Sequence, residues 1–210
     1  MSYLVYDIEV QKIPYDGKSE KKPDLEYASG WTDYGNLGIS IIGAYSSILE
    51  SYLVFGRGET KETLPLEQFE EVASGHVSIV GFNSLRFDDL VLHANNIKVE
   101  TTYDVLLECW AASGLDPNYY FPENDEENRK KYAGYKLDTL AIANFGRGKI
   151  GSGTSAPALY QKGEFEKLNA YCLEDVRLTH ELFKLGLRGE LWHPKTRKFL
   201  QLSHIKDYYS

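Results

Sequence analysis

The chain has 210 residues, of which 42% are hydrophobic, and a formal net charge of −8. This length can fill one hydrophobic core, so we predict a single domain over residues 1–210. The negative charge argues against a protein that holds nucleic acid by overall electrostatic attraction. A polyanionic partner would therefore have to be recognised by a local positive site.

The sequence offers no sign of a membrane segment or a disulfide framework. No apolar stretch reaches the roughly 18 to 20 residues that span a bilayer, and the N-terminus lacks a basic segment followed by a long apolar one. We therefore expect a cytoplasmic protein without a membrane partner. Cys109 and Cys172 are far apart and lack the spacing of a zinc site, which predicts two reduced thiols in the core.

The hydrophobic pattern changes along the chain from hairpins to strands that are connected by helices. Apolar runs predict strands at 3–10, 39–45, 51–55, 77–82 and 101–103. Helical spacing predicts helices at 66–73, 88–95, 105–112, 137–145 and 164–186. We therefore predict an α/β fold with a mixed five-stranded sheet, in which an antiparallel meander is joined by parallel strands and flanked by helices.

Polar stretches interrupt this pattern twice, at residues 11–36 and at residues 113–135. Both are rich in charged residues, Gly and Pro, so we interpret them as surface insertions. The run Tyr119-Tyr120-Phe121 in the second insertion has the ring chemistry to stack on bases, although such aromatic groups more often pack a loop against the protein. Residues 190–210 predict a terminal hairpin or arm.

Two carboxylates lie in the first predicted strand. Asp7 and Glu9 are two positions apart, so their side chains project from the same face with Cα atoms roughly 6.5 Å apart. Two anions on one covered face are costly unless a cation compensates for them. The pair indicates either a divalent metal site or a strand end that faces water.

Further acidic positions follow later in the chain. Asp88 lies where a strand ends and a helix begins, and Tyr171 and Asp175 are four apart on one face of the last long helix. Taken singly, an N-cap accounts for Asp88 and a surface pair accounts for the other two residues.

The remaining acids near these positions have simpler explanations. Asp89 points about 100° away from Asp88 around a helix, and Glu174 and Glu181 flank Asp175 on other faces, so we expect all three to be solvated. Asp104 and Asp138 each precede an apolar helix, which predicts N-capping or a place in the first helical turn.

The glycine-rich segment 146–153 is not a P-loop. That motif requires G-x-x-x-x-G-K-[ST], whereas here Ala143 stands five positions before Gly148 and Ile150 follows Lys149. Arg147 and Lys149 in this segment are candidates for contact with substrate phosphates. Further basic candidates lie near the C-terminus and are Arg188, Lys195, Arg197, Lys198 and Lys206.

Asp7-Ile8-Glu9, the segment from Asn83 to Asp88 and the segment from Tyr171 to Asp175 together resemble the three motifs of the DEDD superfamily of 3′-5′ exonucleases. Ala170, not His, stands five positions before Asp175, so the resemblance is to the tyrosine (DEDDy) branch. It covers about residues 3–186. The motif sequences are similar to those of the proofreading exonuclease domain of family B DNA polymerases and, more distantly, to those of RNase D.

The resemblance implies an RNase H-like fold and two divalent cations, Mg²⁺ or Mn²⁺. It implies that Asp7 bridges both ions, that Glu9 and Asp175 complete the first site, and that Asp88 holds the second ion directly or through water. Tyr171 would orient the attacking water. The candidates for substrate contact are Asn83, Val10, Phe87, Arg147 and Lys149.

The predicted function is a metal-dependent 3′-5′ exonuclease that releases nucleoside 5′-monophosphates from single-stranded ends, with DNA favoured over RNA. The alternatives are an exoribonuclease of RNase D type, an endonuclease of RNase H type, and a non-catalytic accessory module in a replication or repair assembly. Replication or repair proteins are the expected protein partners, and the sequence does not predict an oligomeric state.

Overall fold

The computed structural model describes residues 2–18, 20–56, 60–122, 125–149 and 156–202. Its strands are β1 (Tyr3–Val10), β2 (Ile13–Pro14), β3 (Tyr27–Ala28), β4 (Ile39–Ser46), β5 (Ser51–Gly56), β6 (Leu64–Pro65), β7 (Ser78–Gly81) and β8 (Tyr103–Asp104). Its α-helices are α1 (Tyr34–Leu37), α2 (Gln68–Ser74), α3 (Asp88–Ala94), α4 (Val105–Ala112), α5 (Glu126–Tyr132), α6 (Leu137–Phe145), α7 (Ala156–Gln161) and α8 (Phe165–Arg188).

The main sheet has the order β6-β5-β4-β1-β7-β8. Strand β4 is antiparallel to β1 and β5, whereas β7 is parallel to β1 and β8, and β6 is parallel to β5. This is the predicted mixed sheet flanked by helices, and it is consistent with an RNase H-like fold. It contains six strands instead of the expected five because β6, with only two residues, is too short to carry a hydrophobic pattern.

Strand β1 lies in the middle of the sheet and is packed on both faces. Its even-numbered residues from Leu4 to Val10 join a core cluster with residues of α2 and α3. On the opposite face, Val5 joins a second cluster with residues of α4, α6 and α8. Asp7 and Glu9 continue the face of Val5, so the two carboxylates point toward the helix layer that contains α8.

A glycine allows α8 to approach the sheet beside these carboxylates. Gly43 of β4 is paired with Asp7 of β1. A Cβ atom on Gly43 would lie 2.8 Å from Sγ of Cys172 and 3.1 Å from Cγ2 of Val176, both on α8. The missing side chain therefore lets α8 lie close to β4 beside Asp7.

Both predicted insertions contain secondary structure of their own. In the first, β2 pairs in parallel with β3, and α1 packs against α3. In the second, α5 carries Tyr132, which belongs to the core cluster that also contains residues of α4, α6 and α8. Tyr119 and Phe121 have their ring centres 5.0 Å from that of Tyr132. These two aromatic groups pack the loop against the protein.

The C-terminal segment folds back on itself over residues 192–199. Trp192 and Phe199 form an antiparallel bridge, and the N–H of His193 donates to the carbonyl of Lys198. Residues 203–210, which include Lys206, lie outside the described residues, as do residues 150–155 of the glycine-rich segment.

Cys109 and Cys172 are buried and unpaired, as predicted. Among the helices that the structure describes, none combines the length and the apolar character needed to cross a bilayer.

Candidate active site

Four carboxylates from three parts of the chain converge above the sheet. Burial raises the pKa of Asp7 well above its ordinary value, and the charges of Asp88, Asp175 and Glu9 raise it further. Burial also raises the pKa of Glu9, with added repulsion from Asp175 and Asp88. The charges of Asp88 and Asp175 thus reach both acids of β1, which is consistent with four carboxyl groups at one buried site.

Strand β1 supplies two of these acids directly. Glu9 is 7% exposed and Asp7 is half-buried. The pairing of β1 with β4 is irregular between Glu9 and Val10, where the register shifts by one residue. A bulge of this kind is a common way of aiming a side chain beside a functional site.

Asp88 is placed by a turn that a second buried acid holds in shape. The carboxylate of Asp104 accepts hydrogen bonds from the N–H groups of Asn83 (2.9 Å) and Leu85 (3.3 Å). It also caps α4, as predicted, by accepting from the N–H groups of Leu106 and Leu107. Asp88 then begins α3, and its Oδ1 accepts from the N–H of Ile8 at 3.3 Å.

The pKa of Asp88 is about 7, because burial and the nearby charge of Asp89 disfavour its ionised form.

Helix α8 supplies Tyr171, Cys172 and Asp175. Asp175 is 2% exposed, and its Oδ2 lies 2.5 Å from Nζ of Lys149. The other carboxylate oxygen, Oδ1, and the hydroxyl of Tyr171 are buried and have no hydrogen-bond partner among the described residues. Buried polar atoms of native proteins are normally paired, so these two atoms indicate that a ligand or water belongs here.

A divalent cation fits this site. Asp7, Glu9 and Cys172 each offer a ligand atom, and these atoms lie within 4.8 Å of one another. Burial and the charge of Asp7 raise the pKa of the Cys172 thiol well above its ordinary value, so the thiol keeps its proton. Its Sγ lies 3.6 Å from the carbonyl oxygen of Asp7. The carboxylates are therefore the better ligands, and oxygen ligands suit hard cations.

The site opens onto a groove of about 730 Å³ that Asp7 and Lys149 help to line. The aromatic residues of the groove are Trp31, Tyr34, Phe82, Phe87, Trp110, Phe121 and Tyr132. Its basic residues are Arg86, Arg129, Lys136 and Lys149, and its acidic residues are Asp7 and Asp138. The described lining of the groove therefore combines aromatic side chains with more basic than acidic residues, although the chain as a whole is negative.

Three of the five predicted substrate residues line the groove, and two lie outside its described lining. Asn83 and Phe87 line the groove, and Asn83 has the left-handed φ of 64° that its turn requires. Lys149 lines it as well, although its ammonium pairs with Asp175. Val10 is 6% exposed and belongs to the core cluster on the opposite face of β1. It is absent from the described lining of the groove, because even-numbered residues of β1 point away from the acids.

Arg147 pairs with two acids of α8 and also lies outside the described lining of the groove. Its Nη1 is 2.5 Å from Oε1 of Glu174, and its Nη2 is 2.7 Å from Oε1 of Glu181. The expectation that Glu174 is solvated is wrong, because its side chain is only 12% exposed beside this guanidinium. The side chain of Glu181 is 39% exposed.

The expectation that Asp89 is solvated is also wrong. Asp89 is 5% exposed, and its carboxylate accepts from the hydroxyl of Tyr6 and from the N–H of Thr101 at 2.9 Å. The rotation of about 100° from Asp88 carries its side chain into the core below the sheet instead of into water. Asp138 lies in the first turn of α6, as predicted, and accepts from the N–H of Lys149 at 2.9 Å.

Several features of the site had no signal in the sequence. The pairing of Lys149 with Asp175 and the position of Cys172 beside Asp7 depend on how α8 and the glycine-rich segment pack on the sheet. Trp31 comes to the groove from an insertion without hydrophobic periodicity. Gly43 stands within a strand run, where a glycine can mark a close approach of another backbone, and this signal alone was available beforehand.

No protein-family model and no curated protein significantly matches the sequence. The fold is similar to the structure of the family B DNA polymerase from the hyperthermophilic archaeon Pyrobaculum calidifontis, with a TM-score of 0.55 and 16% sequence identity. The match covers 96% of this chain and 26% of the polymerase chain. This chain thus spans about a quarter of its structural neighbour, and at this identity the likeness shows the fold alone.

Proposed function

We propose that this chain is a metal-dependent 3′-5′ exonuclease of DEDDy type that removes nucleoside 5′-monophosphates from single-stranded nucleic acid, with DNA favoured over RNA. The observation that carries the proposal is the convergence of Asp7, Glu9, Asp88 and Asp175 at one end of a basic, aromatic groove. The likeness in fold to a family B DNA polymerase supports a nucleic-acid substrate.

The carboxylates would hold two cations, Mg²⁺ or Mn²⁺. The charges of the other three acids all act on Asp7, so Asp7 is the best placed to contact both ions. Glu9 and Asp175 would complete the first ion site, and Asp88 would hold the second ion. Bound cations would acidify water and stabilise the leaving oxygen of an in-line displacement. The unpartnered Oδ1 of Asp175 offers a free ligand position.

Tyr171 serves this reaction by positioning water and not as a full base. Burial and the charge of Asp175 raise the pKa of its hydroxyl above the ordinary value of 10.0. The hydroxyl therefore keeps its proton near neutral pH and can donate a hydrogen bond or accept one from water. It has no partner in the described part of the chain, so this capacity remains available to the attacking water.

Lys149 brings a fixed positive charge to the mouth of the site. Burial lowers its pKa, but the charges of Asp175 and Asp7, together with the hydrogen bond to Asp175 and the charge of Tyr171, raise it above the ordinary value. The ammonium therefore stays protonated, offsets part of the acid repulsion, and can meet a phosphate of the strand. Arg86, Arg129 and Lys136 line the same groove and would follow the phosphates further along.

The experiment uses single-stranded DNA and RNA of the same sequence, each labelled at the 5′ end and incubated with Mg²⁺ or Mn²⁺. We expect a ladder that shortens from the 3′ end, with mononucleotide products and faster loss of DNA than of RNA. Asp7→Ala should abolish the ladder, whereas Asp24→Ala, a change at an exposed acid of the first insertion, should leave it intact.

The result separates the proposal from its alternatives. Absence of cleavage on both polymers with either metal contradicts the enzymatic function and favours a binding module. Preference for RNA would point to an exoribonuclease. Cutting of circular single strands or of internal hybrids would point to an endonuclease.

A further inference from the structure

Trp31 presents a large aromatic surface to solvent inside the groove. It is 51% exposed and lines the groove together with Asp7. An exposed indole in a groove offers a flat apolar surface on which another ring can stack. The other tryptophan of the groove, Trp110, is 4% exposed and packs against Tyr132 with ring centres 4.7 Å apart.

Trp31 stays half exposed although it contacts a neighbouring ring. Its nearest aromatic neighbour is Phe87, with ring centres 5.6 Å apart and an angle of 68° between the planes. Phe87 also meets Tyr34, with ring centres 6.3 Å apart. An edge-to-face contact covers at most one face of either ring, so Phe87 packs against the indole and leaves room for a further stacking partner.

The segment that carries Trp31 is held in shape independently of any ligand. Asp33 accepts hydrogen bonds from the N–H and the hydroxyl of Ser29 at 2.9 and 2.8 Å, and from the amide of Asn36 at 3.1 Å. These bonds lower the pKa of Asp33, so its carboxylate stays ionised and keeps accepting them. Helix α1 follows directly and packs against α3, which begins with Asp88.

The polar insertion thus delivers an ordered, half-exposed indole to the groove next to Phe87, the residue directly before Asp88. We propose that Trp31 stacks on an unpaired base near the 3′ end of the strand and thereby positions that end at the acids. This inference rests on the proposed function and adds a specificity element to it. A base can reach the indole only when it is unpaired, because a paired base is stacked within its duplex.

The test measures kcat and KM for Trp31→Ala, Trp31→Phe and the unaltered protein on 5′-labelled single strands. Trp31→Ala should raise KM about 5- to 100-fold, which corresponds to the loss of one base–aromatic stack, while kcat changes by about twofold at most. Trp31→Phe should recover most of the difference. The matched control is Trp192→Ala, which removes a 39% exposed indole that lines a separate cavity with His193 and should leave KM unchanged.

Strands that contain one abasic nucleotide, placed in turn at each of the last three positions, locate the stacked base. At that position the unaltered protein and Trp31→Ala should have equal KM values, because neither has a base to stack. The inference is overturned if Trp31→Ala has an unchanged KM, or if its defect persists at every abasic position. Thermal unfolding of each variant separates these effects from loss of the fold.

Quenching of tryptophan fluorescence by an uncleavable strand distinguishes failure of this inference from failure of the proposed function. The probe is an oligodeoxythymidine with a phosphorothioate 3′ end, added in the absence of divalent cations. Quenching that is lost in Trp31→Phe supports base stacking even if no hydrolysis occurs. Hydrolysis without Trp31-dependent quenching supports the exonuclease and rejects the stacking role of Trp31.

Discussion

Asp7, Glu9, Asp88 and Asp175 oppose one another electrostatically in the metal-free protein. Their raised pKa values mean that the fold becomes less stable when these carboxyl groups ionise. Lys149 offsets this repulsion at Asp175 through a single ion pair. The site is thus arranged to bind positive charge at a cost in stability, as is common at functional sites.

The first prediction concerns Asp7→Asn. If the proposed function holds, the change should lower exonuclease activity by about 1000-fold or more, because it removes a proposed ligand of the cations. It should also raise the free energy of unfolding by about 1 kcal/mol in the presence of a chelator, because one of four repelling charges is removed. Urea unfolding and the labelled-strand assay measure the two effects.

A matched control for Asp7→Asn is Asp104→Asn. Asp104 is also a buried acid, but it accepts four backbone hydrogen bonds. Its loss should lower the free energy of unfolding by about 1–3 kcal/mol. Destabilisation by both substitutions in chelator would show that Asp7 has a structural role and would contradict the repulsion described above.

The second prediction concerns the thiol beside Asp7. Cys172 keeps its proton because burial raises its pKa, so we expect it to contribute little to metal binding. Cys172→Ala should change the affinity for Mn²⁺ by about twofold at most, whereas Glu9→Gln should weaken it at least about tenfold. Calorimetric titration with Mn²⁺ measures both. A tenfold loss in Cys172→Ala would instead identify the sulfur as a ligand and favour a softer metal.

At the scale of elements, the site depends on the approach of α8 to β4. Gly43 leaves the space that Cys172 and Val176 occupy. The third prediction is that Gly43→Ala lowers the free energy of unfolding by about 1–3 kcal/mol through overpacking, and weakens metal binding because α8 moves away from β1. Urea unfolding and Mn²⁺ titration measure these changes.

A double-mutant cycle assigns that effect to the contact itself. In the Cys172→Ala background the nearest obstructing atom is gone, so Gly43→Ala should cost about 1 kcal/mol less than it does alone. Additive effects of the two substitutions would mean that the cost of Gly43→Ala arises from the conformation of β4 and not from its distance to α8.

Local sequence patterns predicted much of the fold and the positions of several residues of the candidate site. The two-residue period of β1 placed Asp7 and Glu9 on one face, the end of a strand placed Asp88, and the helical period placed Asp175 beside Tyr171. Packing between elements that are distant in sequence lay beyond such patterns. Asp89 was predicted to be solvated because its helix was known but the core beneath that helix was not. The edge strand β6 became visible only through its pairing with β5.

At the scale of the whole molecule, stability and metal binding should respond to pH in opposite directions. The pKa of Asp88 is raised to about 7, and those of Asp7 and Glu9 are raised as well. A raised pKa in the folded state gives stability at low pH that is lost as the pH rises through that value. Cations need the ionised carboxylates, so the affinity for Mn²⁺ grows over the same range.

The fourth prediction is that the gain in Tm on adding Mn²⁺ increases from about pH 5.5 to about pH 8. With metal at about 100 times its Kd, the gain at the upper end should reach about 5–10 °C. Differential scanning calorimetry in chelator and in Mn²⁺ measures it. Burial lowers the pKa of His180 to about 4, which reduces stability as the pH falls below about 6.5 in both conditions, so His180 cancels from the difference. A gain that is flat with pH would contradict ionisation of the acids as the limiting step.

Strand β1 lies at the centre of the sheet, and the helix that completes its acid cluster comes last among the helices that the structure describes. During synthesis the ribosome therefore releases Asp7 and Glu9 long before Asp175 exists. A growing chain that ends before α8 has no Tyr171, no Asp175 and no cover for the carboxylates of β1. Because Asp7, Glu9 and Asp88 lack the fourth acid of the cluster until then, the proposed metal site would form only after the last long helix has docked on the sheet.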